Sequence, residues 1–338
     1  LARKRHFVGS NKMSFSSQQN VVIWAQKDIL LANKMSFNPA TTGFKGYCAT
    51  AIYRGQWDKV ENAPNTMLLN FQGSLPTINS GIGLSFMNDV IGLGTEMNIT
   101  LNYAYHYAVP GMGYLSAGLG LGIANVGFDP KWVTPDGAST LDPNLPLNAS
   151  GTALDANFGL HWKGMTMPYF IGISATHLSQ PNLANVNFTK ARHYYVMAGY
   201  DIRNIGLMPA NLTITPSLLF KTDGIAGITD FNVLGDFWFG SPASGASGIY
   251  GGLTYRTKDA FAIMFGFQKE LIVNGSVPDG GGMLKGSPDV VKIGYSYDVM
   301  TNKLLGQYGS GSHELVFNYC VFAPPPPVQR FGNVFILQ

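Results

Sequence analysis

No run of about 18 apolar residues, the length a membrane-crossing helix needs, occurs anywhere in the 338-residue chain, so a helical span is excluded. Charge is scarce as well: 12% of residues are Asp, Glu, Lys or Arg, against roughly 25% in a typical soluble domain. A net charge of +3 is too small to argue for nucleic acid or an anionic surface as partner. Two cysteines, Cys48 and Cys320, make neither a disulfide framework nor a metal set. His106, His161, His193 and His313 lie on separate segments without metal-ligand spacing, and no cofactor is implied. Arg3-Lys4-Arg5 has the charge of a signal n-region, but no apolar stretch of about 7–15 residues follows it. The expectation is a leader already removed or an unusual start.

What the chain does have is glycine (41), phenylalanine (21), tyrosine (16) and alternation. From Met97 to Val109, every second residue gives Met97, Ile99, Leu101, Tyr103, Tyr105, Tyr107 and Val109 on one face. Asn98, Thr100, Asn102, Ala104, His106 and Ala108 form the other. Period 2 means a β-strand with one oily and one small or polar face. Its length suits a tilted membrane crossing of about 9–11 residues rather than a soluble strand of about 5–6. Similar segments run at 46–54, 65–74, 80–88, 96–109, 113–125, 151–162, 168–177, 192–203, 211–221, 229–240, 247–256, 260–269, 290–300 and 312–322. Fourteen oily faces with no helices to cover them predict an all-β fold, a transmembrane antiparallel β-barrel with its oily face in lipid. A large soluble β-sandwich is the competing class.

The predicted organisation is an N-terminal arm over 1–44, which can tuck into the lumen, a barrel over 45–322, and a Pro-rich tail over 323–338. Within the arm, Val21–Asn33 has apolar residues at helical spacing, ending before Asn38-Pro39. An even strand count puts both termini on one side, taken as periplasmic, so odd-numbered connections, such as 55–64, 126–150, 178–191 and 301–311, become external loops. The long connection 270–289 disobeys this scheme and reads as a miscount or a periplasmic insertion. Pro324–Pro327 is a polyproline spacer that carries Phe331 and Phe335 away from the barrel, as a docking peptide or a frayed tail.

Several residues invite functional readings. Arg54, Gln56 and Trp57 sit where the first strand meets its loop, either to grip a partner's backbone or carboxylates, or as a lumenal Arg beside a girdle Trp. Asn88-Asp89 before Gly92 reads first as turn chemistry and second as a binding pair. His177 and Ser179 share a strand face at a base–nucleophile spacing but have no evident orienting partner, so catalysis is not expected. Gly118, Gly120 and Gly122 face the lumen and leave room there for a plug, a ligand or sharp coiling. Cys48 and Cys320 fall near the same end of the first and last strands, on the same face. If those strands pair, a seam disulfide or close thiol pair is one reading and two small buried residues the other.

Taken in order, Asn38-Pro39-Ala40 with Gly43, Tyr53-Arg54-Gly55-Gln56-Trp57, Ala63-Pro64-Asn65-Thr66 and Gly81-Ile-Gly-Leu-Ser resemble a known family. Asn88-Asp89, Tyr103-Ala-Tyr105, His193-Tyr-Tyr and Ser310-Gly-Ser-His-Glu314 extend the resemblance from about Gln18 onward. It is to the PorP/SprF membrane proteins of the type IX secretion and gliding machinery of Bacteroidota. The resemblance implies a bacterial outer-membrane barrel, not an enzyme, that anchors or presents a secreted surface protein or adhesin bearing a type IX C-terminal signal. It also implies contact with other type IX components and with membrane lipid, and adds His193 to the partner-binding candidates. An outer-membrane channel for small or hydrophobic molecules is the alternative. The seventeen residues before Gln18, the stretch 270–289 and the tail depart from the family pattern and bear on partner identity.

Overall fold

The computed structural model describes residues 33–44, 46–58, 60–129, 149–183, 188–203, 206, 208–240, 245–257, 259–271, 289–301 and 311–321. The arm before residue 33, the tail after 321 with Phe331 and Phe335, and most of loops 126–150, 270–289 and 301–311 lie outside them.

Fourteen antiparallel strands close into a barrel. In chain order these are β1 (Tyr47–Gly55), β2 (Asn65–Leu75), β3 (Ser80–Ile91), β4 (Gly94–Val109), β5 (Gly113–Phe128), β6 (Ala149–Gly164) and β7 (Tyr169–Thr176). Two short segments, β8 (Asn182–Leu183) and β9 (Phe188–Thr189), pair only with each other beyond β7. The wall resumes with β10 (His193–Tyr200); β11 (Ile202–Arg203) is a short addition on β12 (Leu212–Thr222). Then follow β13 (Gly227–Phe239), β14 (Ser247–Arg256), β15 (Ala260–Leu271), β16 (Asp289–Met300) and β17 (Ser312–Val321). Closure is made by β1 against β17 and by β10 against β12.

Alternation dictates this closure. Leu101, Tyr103, Leu119, Leu121, Phe265 and Phe317 are exposed outward, while Asn70, Asn102, Ser116, Gln268 and Asn318 are buried inward. A wall that is oily outside and polar inside inverts the soluble pattern and suits lipid around a filled lumen. Among the described residues no helix is long and apolar enough to span a membrane; the strands do the crossing.

Strand β1 begins opposite the end of β17, so Tyr47 and Val321 share one end of the barrel, here termed proximal. Connection length does not sort the two ends. The distal β3–β4 link is only Gly92-Leu93, with Gly92 in the left-handed region (φ 61) that its turn requires. Asn88 and Asp89 are correspondingly inside β3, paired with Met97 and Glu96, rather than in a turn. The proximal connection between β10 and β12 is longer and contains β11.

Residues 33–44 pack against the inner wall. Asn38 caps a 3-10 turn, Pro39–Thr41, accepting a hydrogen bond from Ala40 N at 2.9 Å, with Pro at the first position where no N–H is missed. Its Nδ2 donates to the carbonyls of Leu160 (2.9 Å) and Ile173 (3.2 Å) on β6 and β7. Ser174 Oγ donates to Phe37 O at 2.6 Å, and Phe37 joins Tyr195, Met197 and Leu219 in a buried apolar cluster. The wall is thinned to admit the segment: a Cβ on Gly118 would stand 2.3 Å from Ala40 N, and one on Gly81 2.1 Å from Thr42 O.

Cys48 and Cys320 are register partners across the β1–β17 seam and form a disulfide, with Cα atoms 4.1 Å apart. The bridge joins residues 272 apart and ties the first strand to the last. Boiled without reductant, the denatured protein should therefore remain a closed loop and run faster on a denaturing gel than the reduced form. A Cys48→Ala variant should show no such difference and lose about 2–4 kcal/mol of stability. Equal mobility of the wild type with and without reductant would show the thiols to be unbridged.

Candidate functional site

The lumen divides into a charged distal half and an open proximal half. Distally, one ion-pair chain runs along the inner wall from β12 to β1. Lys221 pairs with Asp230 at 2.9 Å, and Arg256 reaches Asp230 at 3.0 Å, Asp259 at 3.2 Å and Asp298 at 3.7 Å. Arg54 completes it with Asp298 at 2.5 Å and Glu314 at 2.8 Å. These side chains are 1–9% exposed. So many charges survive burial only because each carboxylate faces a cation; a lone one would carry a desolvation penalty of several kcal/mol.

Across the lumen, Lys190, beyond β9, reaches Glu96 at 2.5 Å and Asn98 Oδ1 at 2.9 Å on β4. His177, just past β7, pairs through Nδ1 with Asp155 of β6. Ser179 Oγ donates to Leu154 O at 3.0 Å and to Asp155 Oδ1 at 3.2 Å. Asp155 is thus the orienting partner that the sequence did not reveal, but it holds His177 and Ser179 separately rather than aligning one on the other. The arrangement is a clasp on the segment after β7.

Burial, reinforced by the positive charge of Lys190 and opposed by Asp155, lowers the His177 pKa below the usual imidazole value. A histidine that resists protonation in the folded state contributes stability above its unfolded pKa of about 6.5 and loses it as pH falls below that value. The clasp should therefore loosen on acidification. Amide protection in 177–183, corrected for the pH dependence of intrinsic exchange, should fall between pH 7 and pH 5 in the wild type and fall less in His177→Gln; equal changes in both would remove His177 as the cause.

The sequence-nominated partner-binding residues are not gathered on an outer surface. Arg54, Gln56, Asp89 and His193 are buried, so Arg54 takes the lumenal place that was the alternative to a partner-gripping role at the loop mouth. Arg54 is committed to Glu314 and Asp298, and Asp89 Oδ1 accepts from Thr66 Oγ1 at 2.6 Å. The His193 ring sits edge-on to His177, centroids 5.4 Å apart. Trp57 occupies a left-handed backbone conformation (φ 51), and its N–H meets Ser312 Oγ at 3.4 Å, which holds the β1 loop against the start of β17. Asn88 is half-buried on the outward-facing register of β3. Phe331 and Phe335 lie outside the described residues. His106 bonds the inner segment to the wall: Nε2 meets Thr42 O at 2.9 Å and Nδ1 meets Ser116 Oγ at 2.8 Å.

In the proximal half lies a cavity of about 850 Å3, floored by Met35 and Phe44 of the inner segment and walled from β5 round to β17. His161 lines it, and neither of its buried ring nitrogens has a hydrogen-bond partner among the described residues. Among the described residues no cluster of His, Cys, Asp or Glu is arranged to hold a metal.

A closed fourteen-stranded antiparallel barrel with an oily exterior and a polar lumen is an outer-membrane β-barrel. The family model for the type IX secretion system membrane protein PorP/SprF matches residues 20–319, and the chain belongs to that family. Its place is the bacterial outer membrane. Among solved structures, the CymD monoaromatic hydrocarbon channel is similar over 87% of this chain and 93% of its own, at 10% identity and a TM-score of 0.52. A FadL homologue of Pseudomonas aeruginosa aligns over 83% of this chain and 91% of its own, at 12% identity and a TM-score of 0.44. Such identities speak to fold alone. No curated protein matches.

Proposed function

We propose that this protein is an anchoring barrel of the type IX secretion machinery, which holds or presents a secreted surface protein with a type IX C-terminal signal rather than conducting solutes. The observation that carries this reading is the obstruction of the lumen above its proximal cavity, since residues 33–44 are bonded into the wall and the distal half is lined by buried ion pairs. A wall so braced is a rigid support for contacts made on its rim. Cargo contact is assigned to the distal rim around the β1–β2 loop and the segment after β7, and that rim is assigned to the cell exterior. Both termini are then periplasmic, where the arm and the tail with Phe331 and Phe335 face other type IX components; gliding adhesins of Bacteroidota fit as cargo.

Deleting the gene should release one surface protein with a type IX signal from cells into the medium, and crosslinking on intact cells should join that protein to the distal loops. Retention of the full surface proteome after deletion would overturn the proposal. The second reading, a channel for small or hydrophobic molecules, draws on the proximal cavity. It predicts steady ion conductance in planar bilayers, whereas the anchoring barrel should give none.

A further inference from the structure

We propose that two neighbouring turns on the proximal rim form a binding site for a soft monovalent cation, Cu(I), a role independent of cargo anchoring. The turns join β4 to β5 and β6 to β7, just past the last register pairs, Val109 opposite Gly113 and Gly113 opposite Gly164. Beyond those pairs stand Pro110-Gly111-Met112 and Met165-Thr166-Met167-Pro168, so seven residues of the 338 hold three of the chain's thirteen methionines. Turns ordinarily take Gly, Pro, Asn, Asp or Ser. Here, apart from the prolines, every large apolar residue is methionine. A patch built only to be oily would draw equally on leucine, isoleucine and the aromatics; what these three positions share is the thioether.

The backbone brings the three together. Met165 N donates to Met112 O at 2.9 Å and Thr166 Oγ1 donates to Gly111 O at 2.9 Å, which fastens one turn onto the other. The second turn also folds back on itself: Tyr169 N donates to Met167 O at 2.8 Å, and a Cβ on Gly164 would stand 2.1 Å from that same oxygen. Met112, Met165 and Met167 are 61%, 58% and 63% exposed, whereas no other methionine among the described residues exceeds 43%. Their side chains are therefore not committed to packing. Unbranched, with three rotatable bonds each, they can turn their sulfurs toward one point from such closely spaced anchors. Thioether sulfur is a soft donor that favours Cu(I), while carboxylate and carbonyl oxygens favour Mg, Ca and Mn. Neither turn carries a His, Cys, Asp or Glu, so Zn(II) would lack the ligands it takes. A set of neutral sulfur donors suits a soft ion of single charge.

The test uses the full chain in phosphatidylcholine nanodiscs, with carbon-13 in the methionine methyl groups and silver nitrate titrated in chloride-free buffer. Ag(I) stands in for Cu(I) because it needs no reductant. At least two of the three methyl signals, assigned by Met112→Leu, Met165→Leu and Met167→Leu, should shift together in one saturable step that ends at one equivalent. Leucine conserves volume and apolarity, so each variant should migrate as the wild type does on an unheated gel. Each should bind Ag(I) weaker by about tenfold or more, because a donor is lost from a small set. Zinc nitrate should leave the three signals in place. Independent shifts of the three signals, or none, would overturn the proposal, as would a triple-leucine variant that binds Ag(I) with the stoichiometry and affinity of the wild type. A response to zinc equal to that to silver would do the same.

Discussion

Replacing Arg54 with methionine should destabilise the barrel by about 3–5 kcal/mol, the cost of leaving buried charge without its partner. Glu314 would keep a carboxylate at 3% exposure with its 2.8 Å cation gone, and Asp298 would lose its 2.5 Å contact and keep the more distant Arg256 at 3.7 Å. The penalty arises from the orphaned acids rather than from the lost bond, so removing the acids as well should recover most of it. The triple variant Arg54→Met, Asp298→Asn, Glu314→Gln is accordingly expected to denature closer to the wild type than to Arg54→Met. Urea titrations followed by tryptophan fluorescence check both, with loss of the fast-migrating unheated gel band as a second readout. A single variant within about 0.5 kcal/mol of wild type would mean that water reaches this end of the lumen and screens the chain of charges.

That ion pair was within reach of the sequence. Pairing β1 with β17 through Cys48 and Cys320 fixes an antiparallel register, and six residues along each strand it sets Arg54 opposite Glu314. The register therefore assigned Arg54 its carboxylate as directly as it set the two thiols side by side. Asp298 and Arg256 required the neighbouring registers too, and Lys190–Glu96 joins a loop residue to β4 across the lumen, which no strand-to-strand register encodes.

The strands themselves were legible almost to the residue, because each has lipid on one face and a polar lumen on the other for most of its length, so period 2 rarely lapses. Where it lapsed, the reading failed in a physically interpretable way. Asn88 stands on the outward register of β3 near the distal rim, two to three residues from the turn. Beyond the apolar band an outward residue need not be oily, so Asn88-Asp89 resembled a turn although the ladder continues to Ile91. The same loss of alternation hid the outer ends of β4, β5 and β6, which run a few residues further distally than their oily faces.

The glycines on β5 carried more than coiling, and Gly118 shows how much. Introducing valine there should expel the inner segment from its seat, since even the first added carbon would stand 2.3 Å from Ala40 N and 2.4 Å from Pro39 C, both backbone atoms that cannot rotate aside. The wall is no freer to move, because Gly118 is held between Ala104 on β4 and Gly159 on β6. The segment must give way, and with it the bonds from Asn38 to Leu160 and Ile173, from Ser174 to Phe37 and from His106 to Thr42. At about 1 kcal/mol per lost bond, with the Phe37 cluster opened besides, a loss of several kcal/mol is expected. Lys34 then becomes the reporter: trypsin should spare it in the folded wild type and cleave after it in Gly118→Val while the barrel stays intact. Equal resistance at Lys34 in both proteins would mean that the segment tolerates the side chain and that the wall is thinned there for strand coiling alone. Gly122→Val separates the two cases, since its added carbon would meet Ile99 O of the neighbouring strand at 2.2 Å rather than the inner segment; it should weaken the wall without exposing Lys34.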